Sequence, residues 1–190
     1  MSVSPIDFRY NTKEMREIFT EEARLQSWLD VEVALAKAHA ELGNIPIEAA
    51  DEIAKKANLN YVTLERTKQI EDEIQHDIMA MVRALDEQCE GGAGNYIHYG
   101  ATSYDIVDTA LALQMKKALE VTEKRVVELL QLLLKLCNEH KETVCIGRTH
   151  GQHAVPTTYG MKFAVWVAEL DRHLSRLREG KPRCLQGKMS

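Results

Sequence analysis

Residues able to bind anions or move protons concentrate in four short segments of the sequence. They are the pair Arg9-Tyr10, the pair His76-Asp77, the stretch from His98 to Asp105, and the stretch from Arg148 to His153. The first, third and fourth segments lie where a predicted helix begins or ends, and such positions often carry binding and catalytic residues. Imidazole and hydroxyl groups there can exchange protons or donate hydrogen bonds near neutral pH. The four segments are therefore candidates for binding and catalysis.

The first two segments favour the binding of an anionic ligand. A guanidinium and a phenol at Arg9-Tyr10 together offer several donors to a phosphate, although an ordinary arginine beside a packing tyrosine explains this pair better when it is taken alone. His76 lies among acidic residues at 71, 72, 73 and 77, which favour the imidazolium form as a donor to a substrate anion. On spacing alone, a solvated acidic helix face with an incidental histidine is the better interpretation.

The third segment contains His98 and opens the longest predicted helix. Thr102 and Asp105 have the spacing of a capping box, with Asp in place of the usual Glu or Gln. A helix N-terminus presents unpaired N–H groups and the positive end of the helix dipole, so it is a natural site for a carboxylate or a phosphate. Thr102 and Ser103 can also act purely as helix caps. The structural and the binding function can coexist.

The fourth segment contains the best candidate for a general acid. His150 is predicted to lie in a polar loop between two helices, near an arginine at position 148 and next to Gly151, which permits close approach of the backbone. A metal site is the alternative, because His150 and His153 have H-x-x-H spacing and Cys145 is near. No carboxylate or cysteine set completes the coordination shell in the sequence, so no metal is predicted.

The elements that position these segments are predicted to be helices, and the fold class is all-α. Apolar residues recur at three- and four-residue steps over 13–42, and further helices are predicted over 46–57, 62–89 and 157–178. After a cluster of glycines, a pattern without glycine or proline extends over 105–141 and predicts a rod on the order of 55 Å long. Its apolar stripe requires partners along its whole length, from other long helices or other subunits. The run TVCIG is the one strand-like segment.

Composition and charge exclude several classes of function. The chain is 45% apolar and 28% charged, which is typical of a globular protein, and its net charge of -5 gives no basic field for collecting nucleic-acid phosphates. Its four cysteines include no C-x-x-C pair, so a reducing, cytoplasmic location fits best. The N-terminal stretch MSVSPIDFRYNTKEM contains no apolar signal region, and the most hydrophobic stretch, VVELLQLLLKLC, is too short to span a bilayer. Neither nucleic acid nor a membrane is expected as a partner.

In this order and spacing, the four segments resemble the motifs of the fumarase/aspartase superfamily, and within it those of the adenylosuccinate lyases. Arg9-Tyr10 is similar to an RY pair before the first helix, and the stretch from His76 to Ala80 is similar to an HDV-A motif. The stretch from His98 to Ala110 resembles HYG-TS-D-VDTA, and that from Arg148 to Gly160 resembles RTHG-HA-PTT-G. The resemblance covers nearly the whole chain. The third stretch is also similar to the carboxymuconate cycloisomerase branch, so the adenylosuccinate lyase assignment depends mostly on the second and fourth motifs.

The resemblance implies a role for each matching residue. His150 corresponds to the family's general acid, and His76 to a catalytic histidine that contacts and orients the substrate. Thr102 and Ser103 are implied to bind the dicarboxylate part of the substrate. The other implied substrate-binding residues are Arg9 and Tyr10 at the nucleotide phosphate, together with Gln75, His76, Asp77, His98 and Thr149.

The reaction that the resemblance implies is an anti elimination. It releases fumarate from adenylosuccinate, leaving AMP, and from the succinyl-aminoimidazole carboxamide ribotide of purine biosynthesis. A base removes a proton beside one carboxylate, where preorganised donors stabilise the developing charge, and an imidazolium protonates the leaving nitrogen. The resemblance implies no organic cofactor and no metal. It also implies a cytoplasmic homotetramer that acts on small-molecule substrates in active sites shared between subunits.

One feature of the superfamily is absent from the sequence. The signature loop G-S-S-x-M-P-x-K-x-N-P, whose serine the resemblance implies as the base, occurs nowhere in the 190 residues. We therefore expect the chain to be the N-terminal part of a longer enzyme, with a small helical domain over 1–104 and the first part of a central helical bundle over 105–190. This part alone is expected to be inactive. The alternatives are another lyase or a carboxymuconate cycloisomerase of the superfamily, and a non-catalytic helical interaction module.

Overall fold

The computed structural model describes residues 10–189, in which the chain is predominantly helical. Arg9 lies outside the described residues. The elements are α1 (Lys13–Ile18), α2 (Glu21–Glu41), α3 (Ile47–Lys56), α4 (Leu64–Ile74), α5 (Asp77–Asp86), a 3-10 turn (Ala93–Tyr96), α6 (Ser103–Glu139), β1 (Val144–Thr149), β2 (Gln152–Thr158) and α7 (Tyr159–Cys184). The all-α fold class predicted from the sequence is confirmed, with one small hairpin added to it. None of the described helices is both long enough and apolar enough to cross a membrane.

The chain forms two compact units, one of Met1–Ala118 with Cys184–Ser190 and one of Leu119–Arg183. The division falls within α6 rather than at the predicted boundary after residue 104, because Ile106 and Ala110 of that helix are buried in the core of the first unit. A compact unit is defined by contacts alone and need not coincide with a domain. The assignment of domains 1–104 and 105–190 therefore stays a prediction.

The core of the first unit is one apolar cluster built mainly from α2, α3, α4, α5 and α6. The following side chains are at most 2% exposed there: Leu25, Leu29, Ile53, Val62, Ile70, Ile78, Met81, Leu85 and Ile106. Full burial of such a side chain stabilises a fold by roughly 1.5–3 kcal/mol. The cluster therefore fixes the positions of the helix ends around it, among them the N-termini of α5 and α6.

Two helical patterns in the first unit are interrupted. The pattern over 13–42 divides between α1 and α2, where the Thr20 hydroxyl accepts a hydrogen bond from the N–H of Ala23 at 3.1 Å and caps the second helix. The helix predicted over 62–89 divides between α4 and α5 at Gln75, whose φ of 54° is left-handed. A left-handed residue turns the chain out of the helical path. The prediction of a single helix over 62–89 is therefore wrong.

The second unit contains the later turns of α6, a β-hairpin and α7. Strands β1 and β2 pair antiparallel with Thr149 opposite Gln152, so the turn consists of His150 and Gly151. Both turn residues have positive φ, 52° and 75°, as a type I′ turn requires. The prediction of a polar loop between two helices is wrong here. β1 overlaps the strand-like run TVCIG predicted from the sequence. β2 is largely exposed, so it lacks the alternating apolar pattern by which a half-buried strand is identified.

α7 begins against the segment that follows α6. The N–H of Gly160 donates to the carbonyl of His140 at 2.9 Å, and a Cβ at position 160 would meet the Cα of Lys141 at 2.6 Å. This approach is possible only because glycine has no side chain. At its other end α7 extends past the predicted limit at residue 178 to Cys184, so the sequence pattern ended this helix too early.

Candidate active site

His76 and Ser103 meet at the N-termini of α5 and α6. The imidazole Nδ1 of His76 caps α5 by accepting from the N–H of Met79 at 3.4 Å, and Nε2 of the same ring lies 3.4 Å from the hydroxyl oxygen of Ser103. Ser103 is the first residue of α6, so the ring bridges the two helix starts. Converging helix N-termini combine unpaired N–H groups with positive dipole ends, which favours a negatively charged ligand between them.

An open cleft of about 360 Å³ lies at this junction. It is lined by Glu71, Gln75, His76, Asp77, Ser103, Tyr104 and Val107. Small-molecule sites commonly have volumes of roughly 300–1,000 Å³, so the cleft has room for part of a small ligand. Its lining includes two carboxylates and neither lysine nor arginine. A ligand with several negative charges therefore requires cationic groups from outside this lining.

The sharp turn between α4 and α5 gives Gln75 and His76 their positions. The side chain of Gln75 donates to the carbonyl of Asp72 at 2.8 Å and so satisfies the end of α4, while its backbone adopts the left-handed conformation. His76 follows with an extended backbone and begins α5. A left-handed conformation costs a non-glycine residue roughly 1–2 kcal/mol. The caps on both sides of the turn offset this cost.

The contacts of His76 define which of its nitrogens carries a proton. Nδ1 must be unprotonated to accept from Met79, so Nε2 carries the proton and faces Ser103. The acidic neighbours in the sequence predict the imidazolium form, which cannot make this cap. In a protonated ring Nδ1 would pair instead with Oδ1 of Asp77, which lies 3.6 Å away. The cap and the ion pair exclude each other, because both use Nδ1.

One of the two bonds of the capping box predicted at the start of α6 is present. The N–H of Thr102 donates to Oδ2 of Asp105 at 2.9 Å, which is the reciprocal bond of the motif with Asp in place of Glu. Asp105 is 2% exposed, and its Oδ1 accepts from Nζ of Lys188 at 2.6 Å. The carboxylate thus holds the helix start in place, while Thr102 remains exposed and able to contact a ligand.

His98 precedes this helix start in a left-handed conformation, with φ 60°. Its N–H donates to Oε2 of Glu32 at 2.9 Å, and its ring Nδ1 lies 2.7 Å from Oε1 of the same carboxylate. Glu32 was not among the predicted site residues, although the sequence contains a signal for it. Glu32 continues the buried stripe of α2 that includes Leu25, Leu29 and Ala36, and a charged residue in such a stripe requires a buried partner.

Thr149 and His150 belong to the second unit, at the end of the β-hairpin. Both are exposed, and Arg148 pairs with His153 across the two strands. Within the part of the chain that the structure describes, no three His, Cys, Asp or Glu side chains are grouped as a metal ion would require. The His150 imidazole is exposed to solvent on this short turn. The residues on either side of the turn, Thr149 and Gln152, belong to the paired strands.

The structure brings several of the predicted site residues together and leaves others apart. Four of the predicted site residues line the common cleft: Gln75, His76, Asp77 and Ser103. Tyr10 is 73% exposed ahead of α1, and its predicted partner Arg9 lies outside residues 10–189. The predicted roles of all these residues in binding and catalysis stay predictions.

Comparisons with known proteins identify relatives over the whole chain. A family model described as "Lyase" matches residues 7–190. The adenylosuccinate lyase of Methanocaldococcus jannaschii is 61% identical over 183 residues, which are 96% of this chain and 40% of the relative. That of Pyrococcus abyssi is 59% identical over 189 residues, 100% of this chain and 42% of the relative. The crystal structure of a fumarate lyase from Mesorhizobium sp. BNC1 has a TM-score of 0.86 and 39% identity, and the match covers 93% of this chain and 41% of that chain.

The chain belongs to the lyase family that this model describes. The resemblance to the fumarase/aspartase superfamily that the four motifs indicate is confirmed. The chain spans 40% and 42% of the lengths of the two curated relatives. Their names thus describe proteins of which this chain matches less than half.

Proposed function

We propose that the protein is an adenylosuccinate lyase, a carbon–nitrogen lyase of purine biosynthesis. It releases fumarate from adenylosuccinate to give AMP, and from succinyl-aminoimidazole carboxamide ribotide. The observation that carries the proposal is the meeting of His76 and Ser103 at two helix N-termini, in a chain 61% identical to an adenylosuccinate lyase over 183 residues. Both substrates present a succinyl-amino group, whose two carboxylates suit the preference of helix N-termini for anions.

The cleft at the starts of α5 and α6 binds one carboxylate of the succinyl group. The Ser103 hydroxyl and the Nε2–H of His76 are donors 3.4 Å apart, and Thr102 adds a hydroxyl one residue earlier. When a base removes the proton beside this carboxylate, negative charge develops on it, and donors already in place lower the barrier. Loss of one such donor typically lowers kcat on the order of a hundredfold.

His150 donates a proton to the leaving nitrogen as the carbon–nitrogen bond breaks. Its place in a two-residue turn between paired strands limits the motion of its backbone, and general acid catalysis requires such positioning. Thr149 adds a hydroxyl beside it for substrate binding. The general base belongs to the serine-bearing signature loop of the superfamily, which does not occur within residues 1–190.

The assembly that we propose is a homotetramer whose active sites are shared between subunits. The cleft lining contains the carboxylates of Glu71 and Asp77 without a lysine or arginine, so cationic groups for a substrate with several negative charges come from elsewhere in the assembly. The second unit also exposes large apolar side chains on α6 and α7: Leu129 (46%), Leu132 (54%), Val165 (56%) and Trp166 (50%). Exposed apolar patches of this kind mark interaction surfaces.

A cytoplasmic location is the setting that we propose for this activity. Cys89, Cys137, Cys145 and Cys184 are all free. Free thiols are typical of proteins in a reducing compartment, whereas secreted proteins commonly pair them.

The test is the release of fumarate from adenylosuccinate by the complete protein, with AMP measured in the same reaction. We expect one AMP per fumarate, and the same elimination from succinyl-aminoimidazole carboxamide ribotide. A lactone formed from 3-carboxy-cis,cis-muconate without fumarate release would favour the cycloisomerase alternative instead. A folded protein that acts on none of these compounds would favour the interaction module. Sedimentation measures whether the protein contains four chains.

A further inference from the structure

Glu32 is a buried carboxylate whose two oxygens both contact the same residue. It lies on α2, is 1% exposed, and binds the backbone N–H of His98 at 2.9 Å and the ring Nδ1 of His98 at 2.7 Å. The two residues are 66 positions apart in the sequence, so the pairing is not a local consequence of the chain. Burial of a carboxylate is unfavourable without such partners. A helix that needed only packing would carry an apolar residue here, as α2 does at Leu29 and Ala36.

The first of the two bonds acts on the backbone of His98. The φ of 60° is left-handed, a conformation that costs a non-glycine residue roughly 1–2 kcal/mol. By accepting from the N–H of His98, Oε2 of Glu32 holds the backbone in this conformation. Strained residues that their surroundings hold in place are concentrated at binding and catalytic positions.

The second bond acts on the ring. An ionised carboxylate only accepts hydrogen bonds, so Nδ1 of His98 carries a proton. This bond fixes the orientation of the ring and leaves Nε2 as the nitrogen available to a ligand. The His98 side chain is 13% exposed, and it stands shortly before Thr102 and Ser103 at the start of α6. The ring is thus held at the helix terminus that the proposed function assigns to substrate binding.

We infer that Glu32 is a positioning residue that acts through His98. It fixes the orientation and the tautomer of the ring so that the unprotonated Nε2 accepts a hydrogen bond from a hydroxyl or N–H group of the succinyl-amino nucleotide, while Glu32 itself touches no substrate. The identity of the ligand in this inference rests on the proposed function. The action of Glu32 on the ring of His98 does not.

If Glu32 has a purely structural function, its substitution has the same effect whether or not position 98 is histidine. The two functions can be told apart because the two hydrogen bonds of Glu32 can be separated. The bond to the backbone N–H is possible with any side chain except proline at position 98. The bond to Nδ1 exists only with histidine, so His98→Ala removes the second bond and keeps the first. The effect of Glu32→Gln in the presence and absence of His98→Ala therefore isolates the contribution of the ring.

The experiment measures kcat and KM for fumarate release by the complete protein in four forms: unchanged, Glu32→Gln, His98→Ala and the double variant. Glutamine keeps the size of glutamate, but its amide nitrogen cannot accept a hydrogen bond. We expect Glu32→Gln to lower kcat/KM about tenfold or more when His98 is present, as for other residues that orient a functional histidine. With alanine at position 98 the loss should be less than about twofold. A loss of equal size in both backgrounds would overturn the inference.

A conservative variant and a folding measurement guard against loss of structure. Glu32→Asp keeps a carboxylate on a shorter side chain, so it should keep Nδ1 protonated and retain more activity than Glu32→Gln. Thermal unfolding of every variant defines the temperatures at which activities are compared. If Glu32→Gln does not fold, Glu32→Asp takes its place in the four-way comparison, and the same dependence on His98 is required.

A spectroscopic readout separates this inference from the proposed function. Solid-state NMR of the complete protein with nitrogen-15 histidine shows which ring nitrogen is protonated, and the His98 signals are those lost in His98→Ala. We expect a protonated Nδ1 in the unchanged protein and an unprotonated Nδ1 in Glu32→Gln, whose amide N–H would donate to it. If these spectra are seen without fumarate release, the proposed function fails and the action of Glu32 on His98 stands. If the two proteins give the same His98 spectrum, the inference fails whatever their activity.

Discussion

Replacement of Gly160 by alanine tests how tightly the hairpin and α7 are anchored to the end of α6. The new Cβ would lie 2.6 Å from the Cα of Lys141, 2.7 Å from the carbonyl oxygen of Cys137 and 2.8 Å from the N of Lys141. All three are backbone atoms, so no side-chain rotation relieves the contact and the two chain segments must separate. Overpacking of this kind costs roughly 1–3 kcal/mol, and the better helix propensity of alanine offsets up to about 1 kcal/mol. We expect a net destabilisation of about 2 kcal/mol, since rigid backbone contacts lie at the upper end of the overpacking range.

Gly180→Ala is the matched control for this prediction. It lies on the same helix, and nothing comes within 4 Å of a Cβ built there. The same substitution should therefore leave the protein equally stable or stabilise it by up to about 1 kcal/mol. Thermal unfolding of the complete protein measures both variants. A Gly160→Ala variant that unfolds at or above the temperature of the unchanged protein would contradict this expectation, because the close backbone contact would then carry no cost.

Substitutions at three other places test the chemistry and the dependence on pH. His150→Gln should lower kcat on the order of a hundredfold or more with little change in KM, and a normal kcat would remove His150 from the role of acid. Alanine at both Thr102 and Ser103 should raise KM for adenylosuccinate and lower stability by roughly 1 kcal/mol; a stability loss with unchanged KM would leave them as caps only. Burial raises the pKa of the Cys89 thiol from 9.0 to about 11, so the folded state keeps a proton that the unfolded state loses, and stability should decline as the pH rises from 9 to 11. Urea unfolding should show a smaller alkaline decline in Cys89→Ser, and an equal decline would contradict this assignment.

The start of α6 could be predicted from the sequence because the signals that fix it are local. Thr102 and Asp105 lie within one helical turn, and the bond between them at 2.9 Å depends on little beyond their own spacing. The long helix after them has a periodic apolar pattern and no glycine or proline. Because these signals lie within the helix itself, the predicted and the observed helix agree.

The second strand of the hairpin, its turn at His150 and the break at Gln75 could not be predicted, because their causes are not local composition. Gln75 is left-handed without being glycine, and the break depends on how α4 and α5 pack on the shared core. His150 likewise takes a positive φ where asparagine, aspartate or glycine is the usual signal. The second strand is largely exposed, so neither periodicity nor turn chemistry marked it, whereas the first strand overlaps the strand-like run TVCIG.

The partner of His98 marks a further limit of sequence analysis. A glutamate in the apolar stripe of α2 indicates that a buried partner exists. It does not say which residue, because the contact joins positions 66 apart. Only the packed core brings Glu32 to His98.

Lys188 is translated long after the residues that it contacts. Its ammonium reaches Asp105 across 83 residues of sequence, and its backbone N–H donates to the Thr109 hydroxyl at 3.0 Å. A ribosome that adds roughly 5–20 residues per second needs about 4–17 s to translate that interval. During this time the carboxylate of Asp105 has been translated without the lysine that binds it. A nascent chain that stalls between residues 118 and 184 therefore carries an N-terminal unit whose last contacts have yet to be translated.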